Sequence, residues 1–376
     1  MRIELKEVKT HRELGEFIRF PFLVYKNNKF WLPPLLFDEK NFHNPKKNKA
    51  LRNNDSIMYL AYKEGKICGR IMGIIHRVYN EQTGKKLARF FKFDSIDDQE
   101  VAHTLIGAIE KWAFEKGMDE IIGPFGFSDK DPQGLLIDGF DIRAAIVAPY
   151  NLPYYINLIE NESYNKEVDL YEYTIPVPEK IPDFYQRIHD RVRRNKDIEV
   201  VVLHSKKDLK PHIIPVLQLM NETFRDIFGS YELDHEEMEK FAAEYMAILD
   251  VDFVIIVTEK GKVISFFIAI PDLGPALQKA NGRLFPFGIF HIMKEMKRTD
   301  LIVLMIGGIK SSHQGTGIDV LMGVKMLEAC ARRGIKHIHS HLELETNFKV
   351  RAEMEKMGGT VIKKHRIYRK SLVSGL

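Results

Sequence analysis

Residues 301–317 read LIVLMIGGIKSSHQGTG, and this stretch is the most informative part of the sequence. An apolar strand pattern leads into a loop with two closely spaced glycines, and residues 318–333 then have the periodicity of a helix. The first amide groups of a helix have no partner within it, and the helix dipole places positive charge there. The stretch therefore predicts a binding site for a phosphate group.

Three kinds of phosphate-binding loop could account for residues 314–319, QGTGID. A Walker loop ends in Gly-Lys followed by Ser or Thr, which is missing here. A dinucleotide fingerprint needs a third glycine near Val320 and follows the first strand of its domain. This loop instead follows a late strand and a predicted β-hairpin. Residues 314–319 resemble the pyrophosphate loop of the GNAT acyltransferases, Gln/Arg-x-x-Gly-x-Gly/Ala.

The resemblance extends beyond the loop. GNAT domains have the order strand, two helices, three antiparallel strands, loop and helix, strand, helix, strand, and residues 199–370 can be arranged in that order. Asn347 and residues 353–358, EMEKMG, are similar to the family's asparagine and its C-terminal ending. Residues 344–347 and 364–368, LETN and KHRIY, resemble a branch of long, two-domain bacterial GNAT-like proteins.

The two halves of the chain match in the middle, which predicts an internal repeat. Residues 115–122, EKGMDEII, align with residues 332–338, RRGIKHI. In both segments the predicted helix ends at a basic residue and a glycine, and a predicted strand follows. We predict an α+β fold of two tandem GNAT-like domains, each with a mixed, mainly antiparallel sheet flanked by helices. The predicted limits are a degenerate domain 1–178, a basic linker helix 179–198 and an acyltransferase domain 199–376.

The loop of the first half that corresponds to the phosphate loop reads FDSIDD, residues 93–98. It has no glycine and three aspartates, which would repel a pyrophosphate. We therefore expect coenzyme binding in the second half alone.

Bulk properties restrict the class of protein. The net charge of +4 is mild and gives no reason to expect a nucleic-acid partner, and the two cysteines are far apart, which favours a reducing compartment. The N-terminus does not have the pattern of a signal peptide. No apolar run approaches the about 20 residues needed to cross a bilayer. We expect a cytoplasmic protein, and the sequence leaves its oligomeric state open.

The resemblance implies an acyl-coenzyme A cosubstrate. It assigns the pyrophosphate contacts to the loop residues Gln314, Gly315, Thr316, Gly317 and Ile318. It assigns the pantetheine or adenine contacts to Asn347. Two positions depart from the family pattern. Asp319 replaces a glycine or alanine and puts a carboxylate beside the pyrophosphate, although an acid in a first helical turn also suits the dipole. Met354 stands where many relatives have a tyrosine acid, and we expect it in the core.

Alternating polar residues mark the strand predicted for residues 335–345, namely His337, His339, His341, Glu343 and Glu345. On one strand they would share a face, which is unusual for a buried parallel strand. They could line the acyl-acceptor cleft, lie at a domain interface, or form a metal site of imidazole and carboxylate ligands. We expect no metal, because three side chains along one strand spread over about 13 Å.

In the cleft interpretation, an amine attacks the thioester directly and a general base accepts its proton. We take Glu345 as the first candidate for this base, since it lies two residues before the asparagine and matches the branch pattern, followed by Glu343 and His341. A backbone amide near residues 305–308 would polarise the thioester carbonyl.

Two further segments allow alternatives. The Gly- and Pro-rich residues 123–155 could be a structured lid, or a wall of the acceptor pocket in which Asp131, Asn151 and Tyr155 hold an amine or carboxylate. The apolar insertion 271–298 could cover a long acyl chain or pack between the domains.

The function predicted from the sequence is transfer of an acyl group from acyl-coenzyme A to the amine of a small molecule. One alternative is a Fem-type transferase, which has two GNAT-like domains and uses charged tRNA without needing the pyrophosphate loop. The other is a non-catalytic GNAT-like binding protein, which Asp319 and Met354 would favour.

Overall fold

A computed structural model describes residues 2–146, 148–246 and 248–373. The strands of the first half are β1 to β7 in chain order: Glu4–Glu7, Asp55–Lys63, Lys66–Ile75, Leu87–Ser95, Glu120–Gly123, Leu135–Asp138 and Asn165–Pro176. Its helices are α1 to α7: His11–Val24, Leu36–Phe42, Lys49–Asn53, Arg77–Thr83, Gln99–Glu115, Tyr155–Glu160 and Asp183–Val192.

The second half follows the predicted order of elements. Its strands are β8 to β14: Ile198–Val200, Val254–Glu259, Lys262–Pro271, Leu301–Ile309, His337–Ser340, Glu343–Leu344 and Thr360–Ser371. Its helices are α8 to α14: Lys206–Leu209, Ile213–Phe224, His235–Met246, Gly274–Ala280, Gly288–Met296, Ile318–Arg333 and Phe348–Lys356. Position 247, within the helix predicted for residues 235–249, lies outside the described residues.

The internal repeat is confirmed by the strand pairing. In the first half β2, β3 and β4 form an antiparallel meander, and α5 then leads to β5, which is parallel to β4. In the second half β9, β10 and β11 form the same meander, and α13 leads to β12, which is parallel to β11. The matching segments 115–122 and 332–338 therefore occupy equivalent places in two copies of one mixed αβ unit.

The two halves exchange their long final strands. The strand order across the sheet is β1-β2-β3-β4-β5-β14-β7-β12-β11-β10-β9-β8. Strand β7, from the first half, pairs with β12 of the second half, and β14, from the second half, pairs with β5 of the first. The sheet is thus continuous across the predicted boundary at residues 179–198, and the domain limits given above stay a prediction.

Each half packs its main helix on the sheet through an apolar face. In the first half Val101, Leu105 and Ile109 of α5 are buried, as the periodicity predicts. Gly69 on β3 allows this close contact, because a Cβ there would lie 2.6 Å from the Leu105 side chain. In the second half α13 covers one face of β9 and β10, while α9 and α10 cover the opposite face. The sheet of the second half is therefore buried on both sides.

Candidate active site

A gap opens in the sheet of the second half beyond Ser340. Strands β11 and β12 pair only from Leu301 opposite His337 to Leu304 opposite Ser340, and the His341 amide donates to the Leu304 carbonyl at 2.9 Å. From there β11 continues along β10, while the segment that follows β12 moves away and pairs with β7 as β13. The single strand predicted for residues 335–345 is therefore wrong, because the chain leaves its neighbour at residues 341–342.

Strand β11 carries a β-bulge at the same level. Ile268 of β10 lies opposite Ile306 and Ala269 lies opposite Leu304, so Met305 has no partner in this register. A bulge leaves an extra residue outside the ladder and redirects its backbone groups. The Met305 amide, in the region expected to polarise the thioester carbonyl, is thus placed at the edge of the gap.

A cavity of about 1150 Å³ passes through this gap and reaches both faces of the sheet. On the α13 side it is bounded by the glycine loop and by α14, including Gln314, Gly315, Asp319, Asn347 and Met354. On the opposite side its walls are largely apolar and come from α8, α9, α10 and the segment after α10, including Leu209, Ile213, Leu217, Phe241, Met246 and Leu249. Ligand pockets typically measure about 300–1,000 Å³, so this one has room for an extended molecule.

The glycine loop has the geometry that the sequence predicts for an anion site. Gly315 and Gly317 have φ angles of 74° and 93°, a region that favours glycine. Gly317 is the N-cap of α13, and the amides of the first helical residues have no carbonyl partner within the helix. The loop and helix end therefore offer several backbone donors beside the cavity, with Asp319 as an acid in the same first turn.

The basic linker helix α7 packs against this loop. A Cβ on Gly317 would lie 2.8 Å from Ile188 and 3.0 Å from Val192, so the apolar side of α7 touches the loop and leaves no room for a larger residue there. The same point lies 3.8 Å from Nη2 of Arg191. The arginines of this basic helix are exposed, and Arg191 also brings a cation next to the glycine loop.

Two of the predicted catalytic residues line the cavity. Glu343 is turned into the gap, and burial raises its pKa to about 7, although a hydrogen bond from Asn347 acts in the opposite direction. His341 also lines the cavity, and burial lowers its pKa, so the imidazole is neutral at pH 7. Its Nε2 is buried and has no hydrogen-bond partner among the described residues. The arrangement supplies two groups that can accept a proton at neutral pH.

Glu345, the first choice from the sequence, is used elsewhere. Its carboxylate accepts hydrogen bonds from Lys166 Nζ at 2.7 Å and from the Asp169 amide at 3.1 Å, and it does not contribute to the cavity wall. Strand β13 ends at Leu344, and the turn that follows sends Glu345 toward β7. The sequence favours Glu345 for its position two residues before Asn347, but it lies beyond the end of β13, outside the strand that carries Glu343.

Sequence reasoning missed a buried charged cluster behind His341. Glu172 on β7 accepts a hydrogen bond from Nε2 of His365 on β14 at 2.8 Å, and Lys363 Nζ lies 3.7 Å from the same carboxylate. Burial acts to raise the pKa of Glu172, but the His365 hydrogen bond and the Lys363 charge outweigh it and lower the pKa to about 2. In the sequence, the only sign of this cluster is that Glu172, Lys363 and His365 are polar residues within predicted strands. The exchange of β7 and β14 is what brings them together.

The three residues predicted to hold the acceptor make their hydrogen bonds within the framework of the first half. The Asp131 carboxylate accepts from the Phe127 and Ser128 amides, and Asn151 bonds both backbone groups of Leu136. The Tyr155 hydroxyl accepts from the Ser95 amide within the core. These side chains close their own loops and do not reach the cavity. The same segment does contribute neighbouring residues to the cavity wall, namely Asp129, Lys130 and Gln133.

The insertion packs between the halves, one of its two expected roles. Leu273 and Leu277 of this segment are buried against Leu32 and Leu35, and Asp272 pairs with Arg143. Residues 272–298 do not contribute to the cavity wall. Met354 is buried and packs with the α13 cluster, as expected for a core residue.

Among the residues that the structure describes, no three His, Cys, Asp or Glu side chains are grouped as metal ligands would be. None of the described helices combines the length and apolar character required to span a membrane.

Comparison with curated proteins gives relatives over nearly the whole chain. No protein-family model matches it. It is 28% identical over 369 residues to protein YghO of Escherichia coli (strain K12), which covers 96% of this chain and 93% of the relative. It is 26% identical over 375 residues to the bacterial ceramide synthase of Caulobacter vibrioides (strain NA1000 / CB15N), with 97% and 96% covered.

Solved structures show the same architecture. A tandem GNAT protein from the clavulanic acid biosynthesis pathway has a TM-score of 0.56 at 9% identity, covering 99% of both chains. A glucosamine N-acetyltransferase region of a fungal multi-domain β-N-acetylglucosaminidase has a TM-score of 0.55 at 12% identity, covering 98% of this chain and 38% of that one. At these identities the likeness concerns the fold. The chain has a two-domain GNAT-like fold.

Proposed function

We propose that the protein is an N-acyltransferase that moves an acyl group from acyl-coenzyme A to the amine of a small molecule, and that at least one of these substrates carries a long apolar chain. The observation that carries the proposal is the cavity through the sheet. It joins the glycine loop at the start of α13 to an apolar compartment between α9, α10 and the sheet. The thioester would lie in the gap between them, beside the bulge at Met305.

The apolar compartment supports a long-chain substrate. Burying one methylene group stabilises binding by about 0.8 kcal/mol, so a chain that fills such a space gains affinity with each carbon. A cavity of about 1150 Å³ is far larger than an acetyl group requires. The relative from Caulobacter vibrioides is a ceramide synthase, and a ceramide is an amide of a fatty acid with a long-chain amino alcohol. The same class of reaction fits the compartment of this chain.

The proposed chemistry is direct transfer. The acceptor enters as an ammonium ion, loses a proton to a base in the gap, and its nitrogen forms a bond to the thioester carbonyl carbon while the carbon–sulfur bond breaks. The nitrogen then gives a second proton to the leaving thiolate, and the base releases the first proton to solvent, so the products are an amide, the coenzyme thiol and one proton. We assign the base to Glu343, with His341 as the second candidate, because both line the cavity and both can accept a proton at neutral pH.

The acceptor amine needs a recognition group, and we assign it to Asp129. This carboxylate lines the cavity from the first half and is close enough to His341 to act on its pKa. Together with Glu343 it provides negative charge in the gap, which suits a cationic amine. The Asp129 carboxylate also accepts a hydrogen bond from Lys130 Nζ at 2.8 Å, so an incoming ammonium group would compete with Lys130 for it.

A binding series tests the proposal. Thermal shifts should be measured with coenzyme A and with its acetyl, octanoyl and palmitoyl thioesters, and we expect stabilisation to grow with chain length. Thiol release from palmitoyl-coenzyme A on addition of a long-chain 2-amino alcohol should then accompany an amide product detected by mass spectrometry. Both cysteines of the protein are buried, so a thiol reagent has a low background. Stabilisation by charged tRNA alone would indicate the Fem-type alternative, and no response to any thioester would indicate a binding protein.

A further inference from the structure

An exposed aromatic face stands out on the insertion, at α12 and the turn before it. Phe285, Phe287, Phe290 and Met293 are 71%, 69%, 66% and 56% exposed. Scattered exposed apolar residues are ordinary, but a cluster of large ones marks an interaction surface. We call these four side chains the α12 face.

The α12 face is one side of an amphipathic helix. Gly288 and Ile292, one turn apart, are buried toward the protein, and Phe290 and Met293 point away from it at the three-residue spacing of neighbours on a helix. Ile292 packs on Leu273 and Leu277 of the same insertion. The inner side of α12 thus holds the helix in place, and the outer side is left for a partner.

Positive charge surrounds the α12 face. Five exposed cations lie within residues 279–298, against one partly buried carboxylate, Glu295; they are Lys279, Arg283, Lys294, Lys297 and Arg298. A protein partner would also accept aromatic side chains, but an excess of cations around them complements an anionic surface. Aromatic residues flanked by lysine and arginine are the composition of helices that lie in the interface of a membrane.

The insertion meets the first half beside this face. A Cβ on Gly282 would lie 2.7 Å from the Phe22 ring, and the Gly282 carbonyl accepts a hydrogen bond from the Leu36 amide at 2.9 Å. Leu23, which follows Phe22, and Phe37, which follows Leu36, are also largely exposed. Exposed apolar side chains are therefore present in both halves, next to the point where the insertion meets the first half.

The residues packed beneath this surface connect it to the apolar end of the cavity. Ile248 packs in the cluster formed by Leu273, Leu277 and Ile292, and its neighbour Leu249 lines the cavity. A lipid-like substrate that leaves a bilayer at the α12 face would have a short path to that compartment. We propose that the α12 face and its surrounding cations form a docking surface for an anionic lipid bilayer. This goes beyond the proposed function, because docking can be measured without acyl transfer.

Vesicle co-sedimentation tests the proposal. The full-length protein is mixed with vesicles of phosphatidylcholine alone or with about one-third phosphatidylglycerol, at low and high salt. We expect binding to the anionic vesicles that weakens as salt rises. Replacing Phe287→Ser and Phe290→Ser together should weaken it by at least about tenfold. Replacing Lys294→Glu and Lys297→Glu should weaken binding to anionic vesicles by at least about fivefold.

Matched controls keep the outcome clear. Phe184→Ser removes an aromatic ring that is 59% exposed on α7, and Lys66→Glu reverses an exposed charge on β3; both should bind vesicles as the unaltered protein does. Circular dichroism checks that every variant is folded. Equal binding by control and α12 variants, or no vesicle binding at all, would overturn the proposal. So would self-association that the Phe287 and Phe290 changes abolish while vesicles remain unbound, since the face would then join two copies of the chain.

Discussion

The side-chain amide of Asn347 donates a hydrogen bond of 3.3 Å to Oε2 of Glu343. It connects the N-cap of α14 to the carboxyl group that lines the gap in the sheet. One neutral donor does not offset the cost of burying a carboxylate, so the pKa of Glu343 remains raised, to about 7. A carboxyl group with this pKa is well matched to general-base catalysis at neutral pH.

Replacing Glu343→Gln should reduce turnover by roughly 100-fold or more, because the amide cannot accept the amine proton. Thioester binding, measured by calorimetry, should change little. Glu345→Gln is the matched control, since Glu345 lies two residues away but pairs with Lys166. We expect the control to retain most of its turnover. A large loss in Glu345→Gln with a normal Glu343→Gln would reverse the assignment and restore the order inferred from the sequence.

The pH dependence follows from the same group. Activity should rise as Glu343 loses its proton, with an apparent pKa of about 7 in kcat/KM. Stability should change in the opposite direction. The folded protein holds this proton more tightly than the ordinary value of 4.5 would allow, so the contribution of Glu343 to the free energy of unfolding is greatest at low pH. It is lost as the pH rises from about 4.5 to about 7.

Glu343→Gln tests this sign directly, because glutamine stays neutral at every pH. The Tm of the variant relative to the unaltered protein should increase between pH 5 and pH 8. A difference in Tm that does not vary with pH would mean that the Glu343 pKa is unperturbed.

Asp319→Asn should separate the two roles of this acid. Removing a carboxylate beside a pyrophosphate should tighten coenzyme A binding by about fivefold. Removing an acid from the first turn of α13 should lower the free energy of unfolding by about 0.3–1 kcal/mol. Glu328→Gln, further along the same helix, is the control for general charge effects. Unchanged coenzyme A affinity would indicate that the phosphate groups do not approach this turn.

Arg191→Ala should weaken coenzyme A binding by about fivefold, because its guanidinium lies beside Gly317. Arg194→Ala removes an exposed cation just beyond the same helix and serves as the control. Isothermal titration at two salt concentrations would compare them. Equal losses in both variants would point to the overall charge of the linker helix instead of a contact at the loop.

If the proposed function holds, Ala242→Phe should shift the preference of the protein toward shorter acyl chains, because residue 242 lines the apolar compartment and a phenyl ring would fill part of it. Each methylene that is excluded removes about 0.8 kcal/mol of binding, or about fourfold in affinity. Ala243→Phe places the same ring at the exposed neighbouring position and should leave the preference unchanged. Comparing kcat/KM for octanoyl and palmitoyl thioesters in both variants measures the effect.

Much of the fold could be predicted from local patterns. The order of elements in residues 199–370, the repeat across the two halves, the glycine loop before α13 and the core position of Met354 all depend on periodicity or on backbone freedom. These are properties of a few neighbouring residues. The acidic first-half loop is partly of the same kind: Asp98 caps α5, which is a local contact, whereas the pairing of Asp94 with Arg70 at 2.7 Å depends on the neighbouring strand.

Only the tertiary structure decided which side chains meet in the gap. Glu343 and Glu345 are equivalent under strand alternation, and a turn set by pairing with β7 separates them. Asp129 and Asp131 are equivalent in composition, and the hydrogen bonds of one loop turn Asp131 inward. The exchange of β7 and β14 joins residues nearly two hundred positions apart, such as Glu172 and His365. Local sequence determines what each segment can form, whereas burial and long-range pairing determine what its side chains touch, and therefore their pKa and chemistry.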